Sequence, residues 1–217
     1  MIIDLHLNGK SVIIIGAGNE ALKRIKLLLG EGCEIIVIGE KPISEVTKLS
    51  QKNKIILKKI KITSTTFLKQ YKPFLIIAST TDSILNQKIV RAAKKMKILA
   101  YASDSPDSSD ISYMSLIDIK KTIKVAISTS GSSPIMAKKI KSKTEKCLQK
   151  NISDQDIELI KIQKFARKES KKHILTQIER KKFLYELMND KRVKELLKDG
   201  KYKAIQTTIK KMVKDWK

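Results

Sequence analysis

The run Gly16-Ala17-Gly18-Asn19-Glu20-Ala21 carries the most specific chemistry in the sequence. Gly16 permits a tight turn, Gly18 removes a side chain where a pyrophosphate would approach, and Ala21 lets a helix sit close to the preceding strand. The first amides of that helix are then aimed at phosphate. Glu40 follows 24 residues after Gly16. A carboxylate there can accept hydrogen bonds from both ribose hydroxyls and repel a 2′-phosphate, which favours NAD over NADP. Neighbouring Lys41 works the other way, because its ammonium can pair with a 2′-phosphate, and a solvated strand-end carboxylate is the plainer reading of Glu40.

Two further runs place polar groups at strand ends. Ala78-Ser79-Thr80-Thr81-Asp82, followed by Asn86-Gln87, brings hydroxyls and a carboxylate to the crevice where doubly wound folds bind ligands. Asp82 or Ser83 is also a natural helix N-cap there. Ala102-Ser103-Asp104-Ser105-Pro106 offers a carboxylate that could exchange a proton beside an apolar substrate and a nicotinamide. Taken alone, Asp104 reads first as a turn former before Pro106.

Such groups need a scaffold, and the first half of the chain supplies βαβ grammar. Strands are expected at 12–15, 34–38, 55–60, 75–78 and 98–102, separated by helices at 20–30, 44–51, 65–70 and 84–95. Five strands with helical crossovers imply an α/β fold with a doubly wound parallel sheet. Residues 103–115 then read as a Ser/Asp/Pro loop and 123–128 as a strand. A turn at 129–133 feeds a helix opening at Pro134, where the fixed φ of proline suits a first helical position. From about 152 onward apolar residues recur at helical spacing, with no proline and a single glycine, Gly200.

Composition bounds the class. The 217 residues are 41% apolar and 31% charged, a globular balance, and no apolar run approaches the ~20 residues of a membrane span. The N-terminus, Met1-Ile2-Ile3-Asp4, does not read as a signal peptide, so a cytoplasmic location is expected. Cys33 and Cys147 fall outside any disulfide framework or zinc-ligand spacing, His6 and His173 read as structural or surface residues, and no metal ligands are assigned. The net charge of +24 is uneven: residues 1–115 carry 18 basic and 10 acidic residues, residues 116–217 carry 28 and 12. Polyanionic partners are implied. Only five of the 46 cations are Arg, however, so much of the Lys excess reads equally as solvated surface.

In order, GAGNEALKRIKLLLGEG, ASTTDSILNQ, SDSPDSSDISYMS and VAISTSGSSPIMAKKIK resemble the precorrin-2 dehydrogenase/sirohydrochlorin ferrochelatase family of the siroheme-synthase N-terminal type. The likeness covers residues 1 to about 150 well and the helical remainder loosely. It implies a Rossmann domain over 1–112, a dimerisation segment over 113–150, a C-terminal helical domain over 151–217, and a homodimer. It also implies oxidation of precorrin-2 to sirohydrochlorin with NAD, with Fe2+ as a second substrate where chelation is retained. By the same resemblance, Asn19, Glu20, Glu40, Lys41 and the Thr80 region contact the nucleotide and Asp104 is the essential carboxylate. Ser79-Thr80-Thr81 stands where Ala-Thr-Asp is frequent, which weakens a contact from Thr81. Such a substrate is rimmed with carboxylates, so amides at Ser130-Gly131-Ser132-Ser133 and the ammonium of Lys138 become substrate-binding candidates, ordinary helix capping being the alternative for each serine. Asp104 could likewise accept pyrrole protons as iron enters. The 123–128 strand, following a completed sheet, needs another surface to pair with, and a second copy would supply one.

Two other classes fit the sequence. One is an NAD-responsive nucleic-acid-binding protein gripping phosphates with its basic half; few Arg and few aromatics oppose it. The other is a non-catalytic dimeric scaffold that partners a tetrapyrrole enzyme.

Overall fold

The computed structural model describes residues 2–216, which form two compact units, one ending at Tyr113 and one beginning at Met114. Met1 and Lys217, the outer ends of the first and last expected segments, lie outside the described residues.

In the first unit, strands β1 (Ser11–Ile15), β2 (Glu34–Ile38), β3 (Ile56–Lys58), β4 (Leu75–Ala78) and β5 (Leu99–Ala102) alternate with helices α1 (Asn19–Leu28), α2 (Ser44–Gln51), α3 (Phe67–Tyr71) and α4 (Ser83–Lys95). All strand pairs are parallel, in the order β3-β2-β1-β4-β5. The uninterrupted apolar run of β1 follows from burial on both sides. Val12 and Ile14 join Ala21, Leu22 and Ile25 of α1 on one face, while Ile13 and Ile15 join Ile89, Val90 and Ala93 of α4 on the other. The strand order reverses between β1 and β4, and a crevice opens beyond their carboxyl ends.

The second unit opens with an antiparallel hairpin, β6 (Ser115–Ile119) and β7 (Ile123–Ile127), against which α5 (Pro134–Asn151) packs. Helices α6 (Asp154–His173), α7 (Gln177–Asn189), α8 (Lys191–Lys198) and α9 (Tyr202–Lys214) surround a core built on Phe183, Leu187, Ile205 and Ile209. Polar caps cut this run into helices. Ser153 and Asp156 form a capping box at α6, Thr176 caps α7 and Asp190 caps α8.

Three expectations need correction here. The loop over 103–115 contains a single 3-10 turn at Pro106–Ser108, and its last residue, Ser115, already begins β6. The strand expected over 123–128 therefore finds its partner within its own chain. The hairpin turn is Lys120-Lys121 with both residues at positive φ (51° and 54°), a geometry usually marked by Asn-Gly, so the sequence carried no turn signal. In addition, β3 is shorter than the expected 55–60, because only Ile56–Lys58 pair with β2 at this sheet edge. Among the described residues no helix is long and apolar enough to cross a membrane.

Candidate functional site

A cavity of about 580 Å³ occupies the switch point of the first unit. Gly16 and Gly18 from the β1–α1 turn, Glu40 and Lys41 from the end of β2, and Thr80 from the end of β4 all line it. The turn is glycine for structural reasons. Gly16 sits at φ +109°, and a Cβ there would lie 2.5 Å from the Ser79 carbonyl oxygen, so the β1 and β4 crossovers touch backbone to backbone. Gly18 is the N-cap of α1; a Cβ there would meet nothing within 4 Å, and no side chain caps the helix. The opening amides of α1 are thus left for an external acceptor.

The cavity's charge is mixed but mainly positive, with Lys41, Lys61 and Lys88 set against Glu40 and Asp82. Ile62, Ile84 and Leu85 give it an apolar wall. A free helix start, open space at Gly18 and an exposed carboxylate at Glu40 fit a dinucleotide's pyrophosphate and ribose, and the volume lies in the usual ~300–1,000 Å³ range of small-molecule sites. Lys61, Lys88 and the apolar wall were missed in the sequence. The outward-facing pair Ile84 and Lys88, one turn apart at the start of α4, was the available signal.

Thr80 is held from inside the fold. Its N–H donates to Asn86 Oδ1 at 3.1 Å, its hydroxyl donates to the same oxygen at 2.7 Å, and Asn86 Nδ2 donates to its carbonyl at 3.1 Å. Asn86 is fully buried. Asp82 Oδ1 accepts from Leu85 N–H at 2.9 Å and caps α4, so the Thr80–Asn86 corner is a rigid wall of the cavity.

The remaining candidates lie outside the cavity lining. Asn19, the first residue of α1, is exposed. Glu20 is exposed too, and its carboxylate is engaged by Lys23 at 2.5 Å and lies 3.9 Å from Arg24. The hydrogen bond from Lys23 holds its carboxyl below the usual range. Asp104 is exposed in the bend after β5, without a hydrogen-bond or ion-pair partner among the described residues. Its flanks are tied down. Ser103 N–H donates to Ala78 O at 3.0 Å, and Ala102 N–H donates to Ser109 Oγ at 2.9 Å. Asp110 accepts from Ala100 N–H at 3.0 Å and pairs with Lys94 at 3.1 Å.

That segment ends in a clamp. The Arg24 guanidinium lies over Tyr101 (4.9 Å) and Tyr113 (4.2 Å), whose rings meet edge to face at 4.8 Å, and Nη2 donates to Tyr101 Oη at 2.9 Å. Burial pushes the Tyr113 phenol up to about 12, the nearby Arg24 charge opposing the shift.

Ser130, Gly131, Ser132, Ser133 and Lys138 belong to the second unit. The turn uses several of its own amides: Ser130 N–H donates to Ser128 Oγ, Ser132 N–H to Thr129 O, and Ser133 N–H to Thr129 Oγ1. Ser133 Oγ caps α5 by accepting from Met136 N–H at 3.2 Å. What this loop still offers outward are the Gly131 amide and the exposed Ser130 and Ser132 side chains, and Lys138 is exposed on α5. Among the described residues no group of three or more His, Cys, Asp or Glu could hold a metal ion.

The family model described as "Putative NAD(P)-binding" matches residues 3–115. The siroheme synthase of Buchnera aphidicola is 31% identical over 212 residues, 96% of this chain and 42% of that protein. The siroheme synthase of Mannheimia succiniciproducens is 27% identical over 212 residues, 97% of this chain and 42% of its own length. The chain thus spans about two fifths of these curated relatives. The solved structure of SirC, a precorrin-2 dehydrogenase, superposes with a TM-score of 0.69 at 22% identity, with full coverage of both chains, and shares the fold.

Proposed function

Because the chain belongs to the NAD(P)-binding family whose model spans residues 3–115, we propose that it is an NAD-dependent oxidoreductase converting precorrin-2 to sirohydrochlorin in siroheme biosynthesis. One observation carries the reading: the Gly16–Gly18 turn, Glu40 and Thr80 meet in a single cavity at the sheet's switch point. The substrate follows from relatives matched over nearly the whole chain and named siroheme synthase, and from a structural neighbour named precorrin-2 dehydrogenase.

When bound, NAD+ supplies the hydride acceptor. The chain's residues bind, orient and move a proton. The opening amides of α1, freed by uncapped Gly18, hold the pyrophosphate, with Asn19 and Glu20 at its edge. Glu40 accepts from the ribose hydroxyls, and its charge disfavours a 2′-phosphate. Thr80, fixed by Asn86, sets the facing wall. As a hydride leaves the macrocycle with two electrons, the Asp104 carboxylate takes the accompanying proton, and the substrate loses two hydrogens in all. Ser130, Gly131, Ser132 and Lys138 bind its carboxylates, on a turn that Ser133 fixes by capping α5. Fe2+ is a second substrate in the same reading, with Asp104 accepting pyrrole protons as the ion enters.

The working form is a cytoplasmic homodimer joined through residues 113–150. In support, Ile135 (80% exposed), Met136 and Ile140 form an exposed apolar strip at the start of α5. An anaerobic assay of precorrin-2 with NAD+, followed by Fe2+ and absorbance spectra, tests the reading. NADH formation together with the sirohydrochlorin spectrum is expected. A chain that binds NAD and leaves precorrin-2 unchanged would be the non-catalytic scaffold instead.

A further inference from the structure

The charges of α6 and α7 are sorted by side. Lys161 pairs with Glu158, Lys172 with Glu169 and Lys182 with Glu179, each one turn apart at 2.6 to 3.0 Å. Lys164, Arg167, Lys168, Lys171 and Lys181 have no carboxylate partner among the described residues, and all five border the groove between the two helices. Among the described residues, Asp156 is the only acid on that border.

The groove consists of two adjoining hollows of about 700 and 610 Å³ that share Gln163, Arg167, Lys171 and Met188. Leu159, Ile160, Leu184 and Met188 give it an apolar floor, and the Tyr185 ring, 64% exposed, stands at one side. Its walls are fixed. Gln163 Nε2 donates across to Leu184 O at 3.3 Å, and Arg180 Nη1 donates to Ile174 O and Leu175 O at 2.8 and 2.7 Å, tying α7 to the end of α6.

Uncompensated cations around an apolar floor suit a ligand that is apolar in its plane and anionic at its edge. We propose that this groove is a second, non-catalytic binding site for a planar polycarboxylate macrocycle, the chemical class to which the proposed substrate and product belong. The proposal rests on the dehydrogenase reading for the identity of its ligand. A second copy of the chain is disfavoured, since a symmetric contact would set the same cations against each other. Nucleic acid is served poorly, with Tyr185 as the lone stacking platform and Arg167 as the lone guanidinium not already held by backbone carbonyls.

The test uses the full chain with NAD present and the stable octacarboxylate uroporphyrin as probe. Trp216, the sole tryptophan, meets Phe183 of α7 edge to face at 5.2 Å and reports occupancy by quenching, while equilibrium dialysis counts equivalents. The native chain is expected to bind one equivalent more than the Arg167→Glu/Lys171→Glu variant. That extra equivalent should weaken at least about tenfold near 1 M salt, where the screening length falls to ~3 Å. The variant should keep its rate of NADH formation at saturating precorrin-2. Lys161→Glu/Lys172→Glu, which changes the same charge off the groove, should bind like the native chain. Equal stoichiometry in the groove variant, equal loss in the off-groove variant, or displacement of the probe by duplex DNA at equal charge overturns the proposal. Normal NADH formation without the extra equivalent is failure of this site alone, whereas absence of NADH formation in every protein is failure of the dehydrogenase reading.

Discussion

Asp104 and Asp110 lie on one segment and differ in what holds them. Asp110 accepts a β5 amide and an ammonium, so it fastens the segment, whereas Asp104 is exposed with neither kind of partner among the described residues, as the proposed proton acceptor requires. Asp104→Asn should therefore lower precorrin-2 turnover by roughly 10²–10⁴ with Tm and NAD affinity near those of the native chain. Asp110→Asn should show the opposite pattern, a loss of about 1–2 kcal/mol of stability in denaturant melts and a smaller effect on the chemical step. Near-native turnover in Asp104→Asn would remove the proton-transfer role. Glu40 is tested by cofactor choice. Titrations should show NAD bound more tightly than NADP, and Glu40→Ala should narrow the gap; NADP binding as tight as NAD in the native chain would give the ribose end to Lys41 instead.

At the scale of elements, the β4–α4 corner is organised by one buried amide. Asn86→Leu keeps the volume and orphans the Thr80 N–H and carbonyl, so a loss of about 1–3 kcal/mol is expected, together with a KM for NAD that rises more than kcat falls. A kcat effect alone would place the damage elsewhere. The same strand and helix were easy to read, because β1, β2 and β4 are dense Ile/Leu/Val runs separated by helix-period segments and glycine turns. The glycine turn, Glu40 and Thr80 were legible because their positions are dictated by strand ends. What failed was β6, an exposed strand with only Ile117 buried, joined to β7 by a Lys-Lys turn that breaks the usual residue preference. Lys61 was also hidden, since a long polar side chain carries no periodic mark that separates a cavity wall from ordinary surface. The clamp of Arg24 on Tyr101 and Tyr113 joins residues up to 89 positions apart, which local pattern cannot reveal.

For the molecule as a whole, a net charge of +24 opposes self-association, and the apolar strip on α5 favours it. Light scattering at micromolar concentration should find a dimer that tightens as salt rises, and Ile135→Glu should give monomer with unchanged melting of secondary structure. A native chain that is monomeric at every ionic strength would count against the dimer. The clamp at Tyr113, where the chain leaves its first unit, has a consequence in proton linkage. Because burial lifts this phenol from 10.0 to about 12, the unfolded chain surrenders its proton first as pH climbs. Stability is fully present below pH 10 and should fall by about 1.4 kcal/mol per unit between 10 and 12 on account of this one group. Tyr113→Phe should flatten that part of the alkaline stability profile. The same variant should remove one late-titrating phenolate from the absorbance curve, so a ring that merely closes a segment at neutral pH becomes the bolt that alkali withdraws.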